Sequence, residues 1–171
     1  MKRILASILL CLLILLIYTR ASAEPLYAGV QIDDDSAGVL FGYTMDKRYS
    51  IEAHYTKSNS SISHAGVTVD TSSTGVGIVG IARFPMKLSN VLPYSLFLKG
   101  GYQHTSSSET CSIPSTATLT LPYNNTIDSS KNQALFGGGA ELDLAKNLTG
   151  RLGLDFLGEQ RSLYLAAIYS F

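Results

Sequence analysis

The stretch RSLYLAAIYSF, residues 161–171, decides the fold. Its apolar side chains fall on alternate positions, at Leu163, Leu165, Ala167, Tyr169 and Phe171. This is the period-2 pattern of a β-strand with one strongly apolar face. A closed barrel in lipid can have such a strand at its end, because the outside of the barrel is its apolar side. The pattern therefore predicts a strand of a membrane-embedded β-barrel.

Seven further segments of the chain alternate in the same way, so that eight strands are predicted in total. The expected strands are residues 26–33, 37–45, 48–56, 74–84, 94–104, 133–144, 148–157 and 161–171. The mature chain has no second apolar run of about eighteen residues, which argues against a helical membrane span. Since lipid does not tolerate an open sheet edge, the sheet must close. The predicted fold class is all-β, an eight-stranded antiparallel up-and-down transmembrane β-barrel.

The first 23 residues have the features of a cleaved secretory signal peptide. Lys2 and Arg3 precede an apolar run from Ile4 to Ile17, and Ala21-Ser22-Ala23 follows as a small-x-small cleavage pattern. The alternative is an uncleaved anchor, but the run has about fourteen residues where roughly twenty are needed to span a bilayer as a helix. The expected domains are therefore a signal peptide, 1–23, and an outer-membrane β-barrel domain, 24–171.

The composition of the remaining 171 − 23 = 148 residues excludes several classes of function. Lys+Arg falls from 13 to 10 while Asp+Glu stays at 13, so the net charge is about −3. Without a basic patch, no nucleic-acid partner is expected. Cys111 becomes the single cysteine, so no internal disulfide can form. The three histidines lack the spacing of a metal site, so neither a metal nor a cofactor is expected.

Charged residues concentrate on the face opposite the apolar one. They are predicted to form a near-neutral ion-pair network in the lumen, since desolvated charges need partners. The members of this network are Glu52, Arg83, Lys99, Glu141, Asp143, Arg151 and Asp155. Such a network either plugs the barrel or gates a narrow pore, and an eight-stranded barrel is just wide enough for side chains.

The connections between the predicted strands alternate between long and short. The two long polar loops, residues 57–73 and 104–132, follow odd-numbered strands and therefore lie at one end of the barrel. Outer-membrane barrels have long extracellular loops and short periplasmic turns, so both chain termini are expected in the periplasm. Alternation within residues 65–69 and 117–121 is compatible with hairpins that extend beyond the membrane, and a solvated loop is the alternative. Aromatic residues near strand ends predict an interfacial girdle. They are Tyr27, Tyr43, Tyr49, Phe84, Tyr94, Tyr169 and Phe171 on the periplasmic side, and Tyr55 and Tyr102 toward the other.

Several segments together resemble a known group of proteins. They are YAGV (27–30), AGVLFGYTM (37–45), YSIEAHY (49–55), GIARFPM (80–86), LPYSLFLKGGY (92–102), FGGGAELDL (136–144) and the terminal YSF. The chain is similar to the small eight-stranded outer-membrane barrels of the OmpA-type transmembrane domain, OmpX/Ail and opacity-protein group of Gram-negative bacteria. The resemblance implies contact with outer-membrane lipid and lipopolysaccharide. It also implies that the barrel assembly machinery recognises Leu165, Ala167, Tyr169 and Phe171.

Three functions remain open at this stage, and no catalytic residue is assigned. The first is a non-enzymatic, envelope-structural or surface-interaction (adhesin-like) role, with a host or surface ligand bound through loops 57–73 and 104–132. The second is a narrow porin-like channel for ions or small solutes. The third is an enzyme like the outer-membrane lipid A deacylases, because His104 and Ser106 share the outward face of a strand and Glu109 is nearby.

Overall fold

The chain forms eight antiparallel β-strands in a computed structural model, which describes residues 26–64, 67–86, 94–113 and 123–171. The strands are β1 (Leu26–Asp33), β2 (Ser36–Thr44), β3 (Tyr49–His64), β4 (Val67–Met86), β5 (Tyr94–Ile113), β6 (Tyr123–Ala145), β7 (Leu148–Leu157) and β8 (Gln160–Ser170). Each strand pairs with the next, and β8 pairs with β1 to close the barrel. The predicted fold class is confirmed. The predicted signal peptide lies outside the described residues.

The alternation in β8 sets the register in which the barrel closes. Leu165 lies opposite Ile32 of β1, and Ala167 lies opposite Val30. A slip of one residue would move the apolar face of β8 into the lumen. The end of the barrel where β1 begins and β8 ends is called the proximal end below, and the opposite end is called the distal end.

The outer wall of the barrel is a continuous apolar band. Each of the eight strands contributes exposed aliphatic or aromatic side chains, such as Val30, Ile78, Leu98 and Phe136. A surface of this kind is far larger than the apolar patches of soluble monomers, and it matches the lipid-facing band of outer-membrane barrels. No helix in the described part of the chain is long and apolar enough to cross a bilayer.

The four central strands extend well beyond the others at the distal end. The last residue of β2 to pair with β3 on this side is Ser36, opposite Ser58, and β3 continues to His64. Most of the segments expected as loops 57–73 and 104–132 therefore belong to β3, β4, β5 and β6. Of the two alternatives, hairpins that extend beyond the membrane are therefore confirmed in the described residues, and the solvated loop and the predicted strand ends are wrong there. Residues 65–66 and 114–122 lie outside the described part.

Small residues in the wall make room for large side chains in the lumen. A Cβ atom at Gly42 would overlap the ring of Tyr27, and a Cβ at Gly153 would lie 2.5 Å from Cζ of Tyr164. Both rings are almost completely buried. The girdle prediction is therefore wrong for Tyr27, whose position in β1 is on the face opposite the apolar one.

Three of the short turns are fixed by local interactions. The Asp33 carboxylate accepts a hydrogen bond from the Ser36 amide at 2.7 Å, and Asp46 accepts from the Tyr49 amide at 2.8 Å. These are the side-chain-to-backbone bonds that favour aspartate in turns. In the β7–β8 turn, Gly158 has φ +60°, a conformation that glycine adopts without a steric penalty.

Candidate functional site

Four charged side chains form a buried ion-pair belt in the proximal half of the lumen. Arg151 Nη1 lies 2.7 Å from Glu52 Oε2, and Arg151 Nη2 lies 2.8 Å from Glu141 Oε1. Arg83 Nε lies 2.6 Å from Glu141 Oε2. The side chains of Arg151 and Glu52 are 0 % exposed. Such deeply buried charges are tolerated because each one has an oppositely charged partner.

Neutral groups complete the hydrogen bonding of the lumen belt. Arg83 Nη1 donates to Ser50 Oγ at 2.8 Å, and the Tyr27 hydroxyl donates to Glu52 Oε2 at 3.2 Å. These bonds join β1, β3 and β4 through side chains alone. The belt therefore connects non-adjacent strands across the lumen.

Each buried cation also lies over an aromatic ring. Arg151 Cζ is 5.1 Å from the centroid of the Phe97 ring, and Arg83 Cζ is 5.7 Å from that of Tyr27. A cation over a ring face is attracted by about 0.5–2 kcal/mol, with the larger values in desolvated sites. The aromatic partners were not predicted. The one signal in the sequence that could have indicated Phe97 and Tyr27 as partners is that both occupy inward-facing positions of their strands.

A second ion pair lies above the belt, toward the distal end. Lys99 Nζ is 2.7 Å from Asp155 Oδ2 and 4.3 Å from the centroid of the Tyr164 ring. The next layer is formed by His54 Nε2 and Gln103 Oε1, which are 2.9 Å apart. Lumen contacts thus continue in layers from the belt toward the distal mouth.

The predicted network is largely brought together, with one exception. Six of its seven residues take part in the ion pairs described above: Glu52, Arg83, Lys99, Glu141, Arg151 and Asp155. Asp143 is not among them. It is exposed beside a bulge near the proximal end of β6, and its Oδ1 accepts a hydrogen bond from Thr149 at 3.1 Å.

A polar cup of about 440 Å³ occupies the distal end of the lumen. Its lining includes Lys99, Asp155, His54 and Gln103, together with the Asp33–Asp35 turn. None of the four belt residues lines the cup in the described part of the chain. The cup therefore ends above the belt.

Beyond the cup, β3 to β6 continue as a four-stranded sheet, called the protruding sheet below. It consists of residues 59–64, 67–72, 107–113 and 123–134. No described strand pairs with residues 59–64 on the β2 side, and none pairs with residues 123–134 on the β7 side, where pairing begins at Leu135. Both outer strands of this sheet therefore have an open edge.

Two of the three candidate enzyme residues are hydrogen-bonded on the outer wall. Ser106 Oγ lies 3.2 Å from His104 Nε2. His104 Nδ1 lies 2.6 Å from Oδ1 of Asn132. Glu109 is at the opposite parity of β5, so it points to the other face of the sheet. Asn132 was not predicted, because the sequence does not reveal which residue of β6 lies opposite His104.

The four residues implied as the assembly signal lie at the closing seam of the barrel. Leu165, Ala167 and Tyr169 are exposed on the outer face of β8. The Phe171 amide donates to the Leu26 carbonyl at 3.1 Å, and its ring makes an edge contact with Tyr169 at a centroid distance of 5.5 Å. Among the described residues, no group of His, Cys, Asp and Glu side chains is placed to hold a metal ion.

The closed eight-stranded barrel, its apolar band and its ion-paired lumen place the chain in the structural class of small outer-membrane β-barrels. Neisserial surface protein A is similar, with a TM-score of 0.55 and 10 % identity over 85 % of this chain and 94 % of that one. Ail of Yersinia pestis, in complex with the heparin analogue sucrose octasulfate, gives a TM-score of 0.51 and 12 % identity over 86 % and 94 % of the two chains. The N-terminal barrel domain of Pseudomonas aeruginosa OprF gives 0.50 and 14 % over 85 % and 95 %. No family model and no curated protein matches the sequence.

Proposed function

We propose that the primary role of this protein is non-enzymatic: it is an outer-membrane barrel with an envelope-structural or surface-interaction role, in which the protruding sheet binds a partner. The observation that supports this is the pair of open edges on a sheet that extends beyond the lipid-facing band. An exposed strand presents unpaired N–H and C=O groups, which can add an extended segment of another protein as a further strand.

The lengths of the hairpins support one orientation in the membrane. Long segments are extracellular and short turns periplasmic in outer-membrane barrels. The distal end, with the protruding sheet, therefore faces outward, and both termini lie in the periplasm. Outer-membrane lipid and lipopolysaccharide contact the apolar band, and the barrel assembly machinery recognises the outer face of β8 with Phe171.

The composition of the protruding sheet favours a protein partner over a polyanion. Its residues are mostly Ser, Thr and Asn, and the charged members are Asp70, Glu109, Asp128 and Lys131. One cation against three anions does not form a basic surface. The β6 edge of twelve residues is about 40 Å long at roughly 3.4 Å per residue, which is long enough to pair with an extended peptide.

Shortened hairpins test this proposal without disturbing the barrel. One variant replaces residues 60–71 with Asn-Gly, which joins the paired residues Asn59 and Ser72 by a tight turn. A second variant replaces residues 109–127 in the same way, between Ser108 and Asp128. Cells that display the full chain are expected to adhere to immobilised extracellular-matrix proteins, and at least one shortened variant is expected to lose this adhesion.

The matched control is Asp34→Ser with Asp35→Ser, which alters the short β1–β2 turn at the same end of the barrel. Its adhesion should equal that of the full chain. All variants should migrate as folded barrels on cold SDS gels. Adhesion that persists in both shortened variants, or that is absent from the full chain, would contradict the proposal.

A further inference from the structure

The outer wall of β5 and β6 contains three side chains joined in a serine–histidine–asparagine relay. His104 and Asn132 lie directly opposite each other in the β5–β6 pairing, and Ser106 is two residues further along β5 on the same face. The two hydrogen bonds measure 3.2 Å and 2.6 Å, and all three side chains are exposed. None of them takes part in the lumen belt or the second ion pair.

The partners of the imidazole determine what each nitrogen does. Asn132 Oδ1 is an acceptor, so the Nδ1 of His104 bears the proton and donates it to this oxygen. The Nε2 of a neutral His104 then has a free lone pair, which accepts the hydroxyl proton of Ser106. This is the arrangement in which a histidine acts as general base toward a serine and a third group fixes its tautomer.

The height of the relay on the barrel indicates its substrate. On the proximal side of His104, the outward neighbours Tyr102, Ile78 and Phe136 are apolar and exposed. On the distal side, the residues of the same face are Ser106, Ser108 and Ser130. The relay therefore lies where the apolar band ends and the polar surface begins. His104 follows Tyr94, the first residue of β5 at the proximal end, by ten residues. For a strand tilted by roughly 45°, this separation is about 25 Å along the membrane normal.

We propose that Ser106, His104 and Asn132 form a hydrolytic site for the ester-linked acyl chains of outer-leaflet lipids. The ester groups of a lipid lie at the boundary between its acyl chains and its polar headgroup, which is the level of Ser106. The acyl chain would lie along the apolar band below the site, against Tyr102 and Ile78. The substrate reaches the site by lateral diffusion in the membrane, so that no enclosed pocket is needed.

The reaction is an ordinary ester hydrolysis in two steps. Ser106 Oγ attacks the carbonyl carbon while its proton passes to His104 Nε2, and the ester C–O bond then breaks as Nε2 returns the proton to the leaving alcohol. Water next attacks the acyl-serine, giving its proton to Nε2, and the bond to Ser106 Oγ breaks to release the fatty acid. The regained proton restores the serine, so that one ester and one water give one acid and one alcohol.

Two hydroxyl groups flank the nucleophile on its own face of the sheet. Thr74 of β4 and Ser130 of β6 lie directly opposite Ser106 in the two pairings. Side chains of directly paired residues are about 4.5–5.5 Å apart at Cβ. These hydroxyls are placed to donate hydrogen bonds to the negatively charged oxygen that forms during the attack.

The experiment uses the full chain reconstituted in vesicles, with fatty-acid release measured by mass spectrometry. One set of vesicles contains lipopolysaccharide and the other contains phosphatidylethanolamine alone, so that the two sources of acyl ester are distinguished. Release is expected in at least one set and should fall to background in Ser106→Ala. His104→Ala should lower the initial rate by about 100-fold or more, the usual contribution of general base catalysis.

Asn132 is a positioning residue, so its test is rescue by a similar acceptor. Asn132→Asp should retain release within about threefold, while Asn132→Leu should lower it by about 100-fold, in the range for loss of a general base. Ser108→Ala changes the next outward serine of β5 and should leave the rate unchanged. A fluorophosphonate probe should label the full chain at Ser106 and should not label His104→Ala.

The proposal fails if neither set of vesicles yields fatty acid and Ser106 is not labelled, or if Ser106→Ala releases acid as fast as the unchanged protein. These results are separable from the surface-interaction proposal. The variant shortened between Ser108 and Asp128 keeps the relay and should still hydrolyse lipid, and Ser106→Ala should still adhere.

Discussion

Arg151 is the side chain on which the packing of the lumen converges. It contacts Glu52, Glu141 and the ring of Phe97. Replacing it in Arg151→Met leaves Glu52 buried without its cation, and breaking a buried pair in this way costs about 3–5 kcal/mol. We expect the free energy of unfolding to fall by this amount, measured by urea titration in vesicles and followed by cold-SDS mobility. Asp143→Asn, at an exposed site, should change it by less than about 0.5 kcal/mol.

A second substitution shows whether the loss comes from the uncompensated charge. In Arg151→Met with Glu52→Leu, both members of the pair become apolar, and replacements of this kind are often close to neutral. The double variant should therefore be more stable than Arg151→Met alone. Equal stability of the two would mean that the lost packing of Arg151, and not the unpaired carboxylate, causes the effect.

The face of the sheet on which a residue lies could be predicted from the sequence, but the residues that it contacts could not. The strict alternation in β7 puts Arg151 and Asp155 on the inner face, and this suffices to expect ion pairing. The contact of Arg151 with Glu52 joins residues 99 positions apart. Likewise, His104 and Asn132 are 28 positions apart and meet through the β5–β6 register. Register across a long hairpin is set by its turn and its pairing, and neither can be derived from the alternation of one strand.

At the scale of elements, the strands of the protruding sheet differ from their own continuations inside the barrel. The distal part of β6, residues 123–134, has a described partner strand on one side, while residues 135–142 have partners on both. Amide groups that face an open edge exchange with solvent more readily than those in a closed ladder. In hydrogen–deuterium exchange of the vesicle-bound protein, residues 123–134 should exchange much faster than residues 135–142. Residues 107–112, which pair on both sides, provide the internal comparison, and equal exchange in 123–134 and 107–112 would contradict an open edge.

The boundaries of β3 to β6 were predicted poorly for a physical reason. Within the lipid, the outward residues such as Ile51 and Ile78 are apolar and the inward ones are polar or small, so the period of two is visible. Above the lipid, water contacts both faces, and residues such as Ser60, Ser72 and Ser108 are acceptable on either. The strand continues because its backbone hydrogen bonds do, and outside the short alternating stretches 65–69 and 117–121 the sequence contains no contrast that would reveal it.

As a whole, the barrel is tall on one side and short on the other. The tall side, β3 to β6, contains both the open edges and the Ser106–His104 relay, while β7, β8, β1 and β2 end in short turns near the mouth of the cup. The closed sheet with its apolar outside could be predicted from the alternation, because lipid leaves no other solution for such strands. The two long hairpins on this side could also be predicted from the lengths of the connections, but the extent of strand within them could not, since it lies in the polar parts of the four long strands.

The filling of the lumen leads to a prediction about transport by the whole molecule. The cup ends above the belt, and the belt side chains Arg151 and Glu52 are fully buried, so the unchanged protein should give no steady current in a planar bilayer. Lys99→Ala with Asp155→Ala removes the ion pair at the floor of the cup but leaves the belt, and this variant should stay closed. Arg151→Ala with Glu52→Ala empties the belt itself and is expected to leak. A lumen packed with paired side chains has no room for hydrated ions unless the pairs separate. Discrete conductance steps from the unchanged protein would therefore show that the pairs do separate, and they would favour the narrow channel.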